Sequence, residues 1–216
     1  MQRTEALTVE VTRGDLLESR HACLVVIADS SGAIVDSWGE AGREIYPRSA
    51  IKPLQALPLL ETGAAEAFGL SDAEVALACA SHMGEPMHRD AVRAWLGRVG
   101  LGVDDLECGP HAPTDEAAAA EIIRRGVEPD RSFNNCSGKH SGFLTTARHL
   151  GEPTAGYLGI DHPVQLRLRH VLEDLGGADL SGTARGIDGC GIPVYGMPLA
   201  ALARAAARMA DPDTLP

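Results

Sequence analysis

The sequence predicts an α+β domain with helices packed on a sheet. Two observations carry that expectation. The first third reads as strands, in alternating or β-branched apolar runs. The rest reads as helices with capped starts and apolar stripes. A chain of 216 residues with 44% hydrophobic and 23% charged residues suits a single folded domain, residues 1–216, with enough length to bury a core.

The elements follow in order. Leu7 to Thr12 alternates as a strand should. Cys23 to Ala28 is a buried β run, and Ala33 to Trp38 follows the turn Asp29-Ser30-Ser31-Gly32, which makes a hairpin. From Ser49 the period becomes helical through Ile51, Leu54, Leu57, Leu59 and Leu60, with Pro58 expected to kink or interrupt the run. Ser71-Asp72-Ala73-Glu74 is a capping box that opens a short helix. His88 to Val99 places Ala91, Val92, Trp95, Leu96 and Val99 on one face. Thr114 is the expected cap of a helix over 115–125, whose acids come first and arginines last. Lys139 to Leu150 stops at Gly151. Pro163 to Leu175 starts on proline and ends at Gly176-Gly177. Pro198 to Ala210 is rich in alanine. No internal repeat or linker interrupts this series.

Composition excludes several partner classes. The formal charge is −11 with no basic run, which argues against nucleic acid and anionic membrane surfaces. Aromatics are 4% of the chain, too few for base-stacking platforms or an aromatic membrane belt. No apolar stretch reaches membrane-spanning length, and Met1-Gln2-Arg3-Thr4-Glu5 lacks the pattern of a signal peptide, so the expected compartment is the cytoplasm. There the five cysteines do not suggest a disulfide framework. Cys23 and Cys79 read as inert core thiols and Cys108 as a loop residue, whereas Cys136 and Cys190 lie in Gly-rich polar turns.

Lysine usage singles out the chemistry. The chain has two lysines, Lys52 and Lys139, against 17 arginines. A buried lysine can shed its proton and serve as a base or ligand, which arginine cannot do. Each lysine lies in a reactive cluster. Ser49-x-x-Lys52, followed by Pro53, puts a hydroxyl and an amine on one side of a helix start. A desolvated, neutral amine there can take the serine proton, although the same letters also fit a surface cap beside a solvated lysine. Ser81-His82-Met83-Gly84-Glu85 fits a pocket-mouth loop or a polar helix end. Cys136-x-x-Lys139-His140, with Cys190 in Asp188-Gly189-Cys190-Gly191, fits zinc ligands, a redox pair or two unrelated loop thiols. A phosphate loop through Gly138-Lys139 is excluded, because Phe133 stands where glycine is needed and His140 where Ser or Thr would hold magnesium.

Four segments in this order together resemble the L-asparaginases of the Rhizobium-type class. They are Tyr46-Pro47-Arg48-Ser49-Ala50-Ile51-Lys52-Pro53, Cys79-Ala80-Ser81-His82-Met83-Gly84-Glu85, Asn134-Asn135-Cys136-Ser137-Gly138-Lys139-His140 and Gly186-Ile187-Asp188-Gly189-Cys190-Gly191. The resemblance implies a fold similar to serine β-lactamases and glutaminases, here incomplete. It implies hydrolysis of L-asparagine with Ser49 as nucleophile, Lys52 as base and Ser81 as a second hydroxyl. Cys136, Lys139 and Cys190 match the zinc ligands, with water as the fourth, and the zinc is expected to shape substrate binding. Arg48, Asp188 and His140 match polar residues around the substrate, and the complete protein is expected to be a homodimer. Members of the class are longer. Roughly their last third, with the lysine that partners the second serine, is expected to be missing here. Two other readings stay open: a different serine amidohydrolase of this fold, or an inactive truncated product. Against a β-lactamase, no Ser-Asp-Asn or Lys-Thr-Gly motif occurs.

Overall fold

The computed structural model describes residues 2–211 and 213. Its strands are β1 (Gln2–Arg3), β2 (Leu7–Arg13), β3 (Leu16–Cys23), β4 (Val25–Ala28), β5 (Ile34–Trp38), β6 (Glu44–Ile45), β7 (Arg185–Ile187), β8 (Pro193–Tyr195) and β9 (Met197–Pro198). Its helices are α1 (Lys52–Glu61), α2 (Ala64–Ala67), α3 (Asp72–Cys79), α4 (Pro86–Arg98), α5 (Glu116–Arg125), α6 (Ser137–Leu150), α7 (Pro163–Gly176) and α8 (Leu199–Ala210). The α+β expectation holds, with the strand content in small sheets. None of these helices is long and apolar enough to cross a membrane. The chain divides into two compact units, residues 1–47, 172–184 and 195–216 in one, and residues 48–171 and 185–194 in the other.

The first unit holds a three-stranded sheet in the order β1-β5-β4. The β4–β5 hairpin forms as its turn residues dictate. Asp29 Oδ1 accepts from Ser31 Oγ at 2.6 Å and from the Ala33 N–H at 3.1 Å, and Gly32 takes φ +85°. Helix α8 packs on β4, and its Arg204 donates to Gly32 O at 3.3 Å and Gly176 O at 3.0 Å. The continuous run expected over 23–28 is in fact the end of β3, a break at Leu24, and β4. Strand β3 pairs antiparallel with β2 around Gly14 (φ +60°). That ribbon is exposed along nearly all of its length, so its cross-strand ion pairs Arg13–Glu18 and Arg20–Glu10 take the place of burial.

The second unit is built around α6. Every residue from Ser137 to Ala147 is buried, so this helix is enclosed all round and shows no amphipathic stripe. It packs against α1, α3 and α4. Several of its polar side chains are satisfied within the core. Ser141 and Thr145 donate to the carbonyls four residues back at 2.8 and 2.7 Å, and Trp95 Nε1 donates to Thr145 Oγ1 at 2.9 Å. Close approach needs small residues. A Cβ on Gly138 would run into the Leu77 carbonyl of α3, while one on Gly142 would lie in van der Waals contact, 3.5 Å from Leu59. The core beside α6 includes Leu77, Val92, Leu96, Phe143, Leu144 and Leu168.

Boundaries differ from the sequence expectation where a cap was misread. Asp115, not Thr114, caps α5, because its Oδ1 accepts from Ala118 N at 2.8 Å. Pro58 stays inside α1, which runs on to Glu61. Cys23 and Cys79 are half-buried, with Cys79 packed against the core of Ala56, Leu59, Ala78 and Trp95, whereas the loop thiol Cys108 is fully buried. Burial pushes Cys108 up to about 12, which leaves it inert.

Glycine substitutions test this packing. Gly97 is helical, exposed and has open space where a Cβ would go, so Gly97→Ala should stabilise by about 0.5–1 kcal/mol. Gly138→Ala should destabilise by about 1–3 kcal/mol through overpacking against α3. Urea denaturation of both variants reads the two opposite signs, and equal effects would contradict the α3–α6 contact.

Candidate active site

The second unit brings its reactive residues together from four segments. Residues 48–51 form a 3-10 turn that runs directly into α1. Arg48 has φ +50°, an uncommon conformation for a side chain other than glycine, and this strain re-aims the chain just before Ser49. Ser49 is exposed and makes no side-chain hydrogen bond among the described residues. Lys52, the first residue of α1, is 1% exposed.

The Lys52 amine turns to Ser81, not Ser49. Nζ lies 2.6 Å from Ser81 Oγ, 2.8 Å from Ala80 O and 3.4 Å from Asn135 O. Ser81 reaches it because α3 ends at Cys79 and the chain leaves in extended conformation at Ala80 (ψ 155°). Burial pushes the Lys52 amine below the ordinary lysine value, partly offset by the Cys136 thiol beside it. Either protonation state finds its partners here. The ammonium can donate to all three oxygens. The neutral amine can donate to the two carbonyls and accept the Ser81 O–H. A proton can therefore pass between the two groups without rearrangement.

The loop that carries Ser81 is tied to the start of α6 by His82. The Gly84 N–H donates to His82 Nδ1 at 3.1 Å, so the ring proton is on Nε2, which meets Ser137 Oγ at 2.7 Å. Ser137 passes its own proton to Ser132 O at 3.1 Å, and the His82 N–H donates to Asn135 O at 3.2 Å. Gly84 (φ +82°) is needed because a Cβ there would meet Pro113 at 3.0 Å. Burial, with lesser contributions from His88, Lys52 and His111, pushes His82 down to about 4. It is a neutral bracket.

Cys136 stands at the N-cap of α6, where Asn134 Oδ1 accepts the Cys136 N–H at 2.9 Å. Lys139 and His140 follow in the first turn, both buried. Cys190 comes from the turn between β7 and β8, and the Lys139 amine donates to its sulfur at 3.2 Å. A hydrogen bond from Cys190, helped by the lysine charges, holds Cys136 well below the ordinary thiol value, and the same bond and burial hold Cys190 above it. His140 Nδ1 lies 2.8 Å from Tyr157 Oη, and its Nε2 is buried without a hydrogen bond, close enough to Cys190 for each to affect the other's protonation. Asp188 accepts weakly from Cys190 Sγ at 3.7 Å and forms an ion pair with Arg48 Nε.

Of the residues singled out in the sequence, Lys52, Ser81 and Cys136 meet in one place, as do Lys139, Cys190, His140 and Asp188, with Arg48 joined through Asp188. Ser49 alone has no partner among them. The donor chemistry fits a thiophilic cation: two thiols and an amine converge in a buried space, and one thiol is already inclined to the thiolate form. The roles of His82 and Tyr157 escaped the sequence reading. His82 is adjacent to Ser81 and could have been found through that neighbour, while Tyr157 carries no local signal.

A buried amine on a serine hydroxyl can move a proton, and the class of protein comes from the family comparison. The model of the L-asparaginase II family matches residues 9–216. The match spans nearly the whole sequence, and the chain belongs to that family. No curated protein matches the chain.

His82 gives a pH prediction. Its folded value is depressed from 6.5 to about 4, so between those values the unfolded chain binds the extra proton and stability falls as pH falls. The loss should be on the order of 2 kcal/mol from His82 alone. Urea denaturation at pH 7 and pH 4.5 should show a smaller difference in His82→Gln than in the wild type, and equal differences would count against a neutral buried His82.

Proposed function

We propose that this protein hydrolyses the side-chain amide of L-asparagine to L-aspartate and ammonia, with a serine hydroxyl activated by Lys52. The observation that carries the reading is the buried Lys52 amine, 2.6 Å from Ser81 Oγ and one helical turn from Ser49. Family membership supplies the substrate class. Neutral Lys52 removes the proton of the attacking hydroxyl, and the oxygen adds to the amide carbon. The proton then returns through Lys52 and Ser81 to the departing nitrogen, and ammonia leaves. Water cleaves the resulting β-aspartyl ester by the same path in reverse.

Ser49 is the attacking residue in this reading. It is exposed and uncommitted, as a nucleophile waiting for substrate should be. The contact between Lys52 and Ser81 favours a second version in which Ser81 attacks. Arg48 and Asp188 complement the substrate's α-carboxylate and α-ammonium. Their mutual ion pair opens onto a ligand that carries both charges. Cys136, Lys139 and Cys190 would hold zinc, with His140 beside them. A zinc ion there would supply positive charge that orders the substrate groups nearby.

Mass spectrometry after rapid quenching with L-asparagine distinguishes the two serines. Ser49→Ala should abolish aspartate release and the covalent adduct. Ser81→Ala should keep the adduct on Ser49 but lower kcat by roughly 10²–10⁴-fold. An adduct on Ser81 would transfer the role, and full turnover in both variants would end the Ser–Lys mechanism. In the same preparations, Cys136→Ser and Cys190→Ser should lose bound zinc by elemental analysis, and unchanged metal content would remove zinc from the account.

A further inference from the structure

Tyr157 is fully buried in the segment between α6 and α7, and its setting is built with more care than packing requires. Glu107 grips it three ways. The Glu107 N–H donates to Tyr157 Oη at 2.7 Å, and its carboxylate accepts the backbone N–H groups of Gly156 and Leu158, the residues on either side. Gln165 Nε2 donates to the Tyr157 carbonyl at 2.8 Å. The phenol is thus held at both its ring and its backbone.

The hydrogen-bond count at Oη then decides a proton elsewhere. Oη has two neighbours, the Glu107 N–H and His140 Nδ1. A backbone N–H only donates. The hydroxyl proton, shut away from water, therefore has one acceptor open to it, His140 Nδ1. If Nδ1 carried a proton, as in the other tautomer or the imidazolium, the tyrosine proton would be stranded in the core without an acceptor.

We propose that Tyr157 is a positioning residue that fixes the proton of His140 on Nε2, so that this imidazole acts in the site as a hydrogen-bond donor only. The Nε2 atom is buried without a hydrogen bond, and Cys190 lies close to the ring. As an N–H it offers its bond to the Cys190 sulfur or to an oxygen of the bound ligand. In this tautomer Nε2 carries its hydrogen and has no ring lone pair to offer. The group that His140 recognises is therefore an acceptor such as a carboxylate or amide oxygen. This assignment of a ligand group rests on the proposed amidohydrolase reading. The tautomer itself does not.

Two-bond proton–nitrogen correlation spectra of the ¹⁵N-labelled full chain read the tautomer, with His140 identified by its loss in His140→Gln. The wild type should show a protonated Nε2 and a bare Nδ1. Tyr157→Phe, which keeps the ring, should let both tautomers of His140 appear, and kcat/KM for L-asparagine should fall roughly 10–100-fold. A wild-type His140 protonated at Nδ1, or an unchanged tautomer in Tyr157→Phe, overturns the proposal. The wild-type spectrum decides the question even if the variant does not fold. A chain with the expected spectrum and no activity would instead sink the asparagine reading.

Discussion

The arrangement depends on one ammonium-sized group kept from water. Lys52 Nζ is enclosed, and the oxygens that satisfy it come from the end of α3 and the residue before Cys136. Burying an amine is costly unless every N–H is met. The structure meets that requirement in both protonation states, and this equal satisfaction lets the group pass a proton. The geometry around it follows. The chain leaves α3 extended so that Ala80 O and Ser81 Oγ face Nζ, and His82 holds that departure against the first turn of α6.

The second half of the site uses the same helix differently. Helix α6 is buried all round and begins at its reactive end, with Cys136 at the cap and Lys139 and His140 in the first turn. The orphan N–H groups of a helix start favour a thiolate there, as does the neighbouring Lys139. Gly138 lets α3 come close enough for Ser81 and Cys136 to serve one amine. Packing and chemistry are thus set by the same few positions, which explains why a long enclosed helix carries so many polar side chains.

Much of this was legible in the sequence, for identifiable reasons. Two lysines among 17 arginines marked Lys52 and Lys139, and both prove to be buried. Helix starts with a strong side-chain acceptor were found to within about two residues, as at Ser71. The Thr114–Asp115 ambiguity arose because both residues can cap and only the geometry selects one. Strand β3 was missed because Leu16–Cys23 is mostly polar and exposed, so its pairing rests on cross-strand contacts that no single-strand pattern reveals. The direction of the Lys52 amine was also illegible. The i, i+3 spacing pointed at Ser49, but the 3-10 turn and the strained Arg48 turn that serine outward, and a residue 29 positions away receives the bond. Tyr157 and Glu107 could not be read at all, since their meeting spans 50 residues.

The state of the Lys52 amine is the most direct test. Because the chain has only two lysines, ¹³C labelling at lysine Cε gives two signals, and Lys139→Arg removes one of them. The account predicts that the Lys52 signal titrates clearly below the ordinary lysine value of about 10.4, with the chain still folded. A Lys52 signal that titrates at or above that value would mean a permanently charged amine, unable to take a proton from any serine, and would contradict the account.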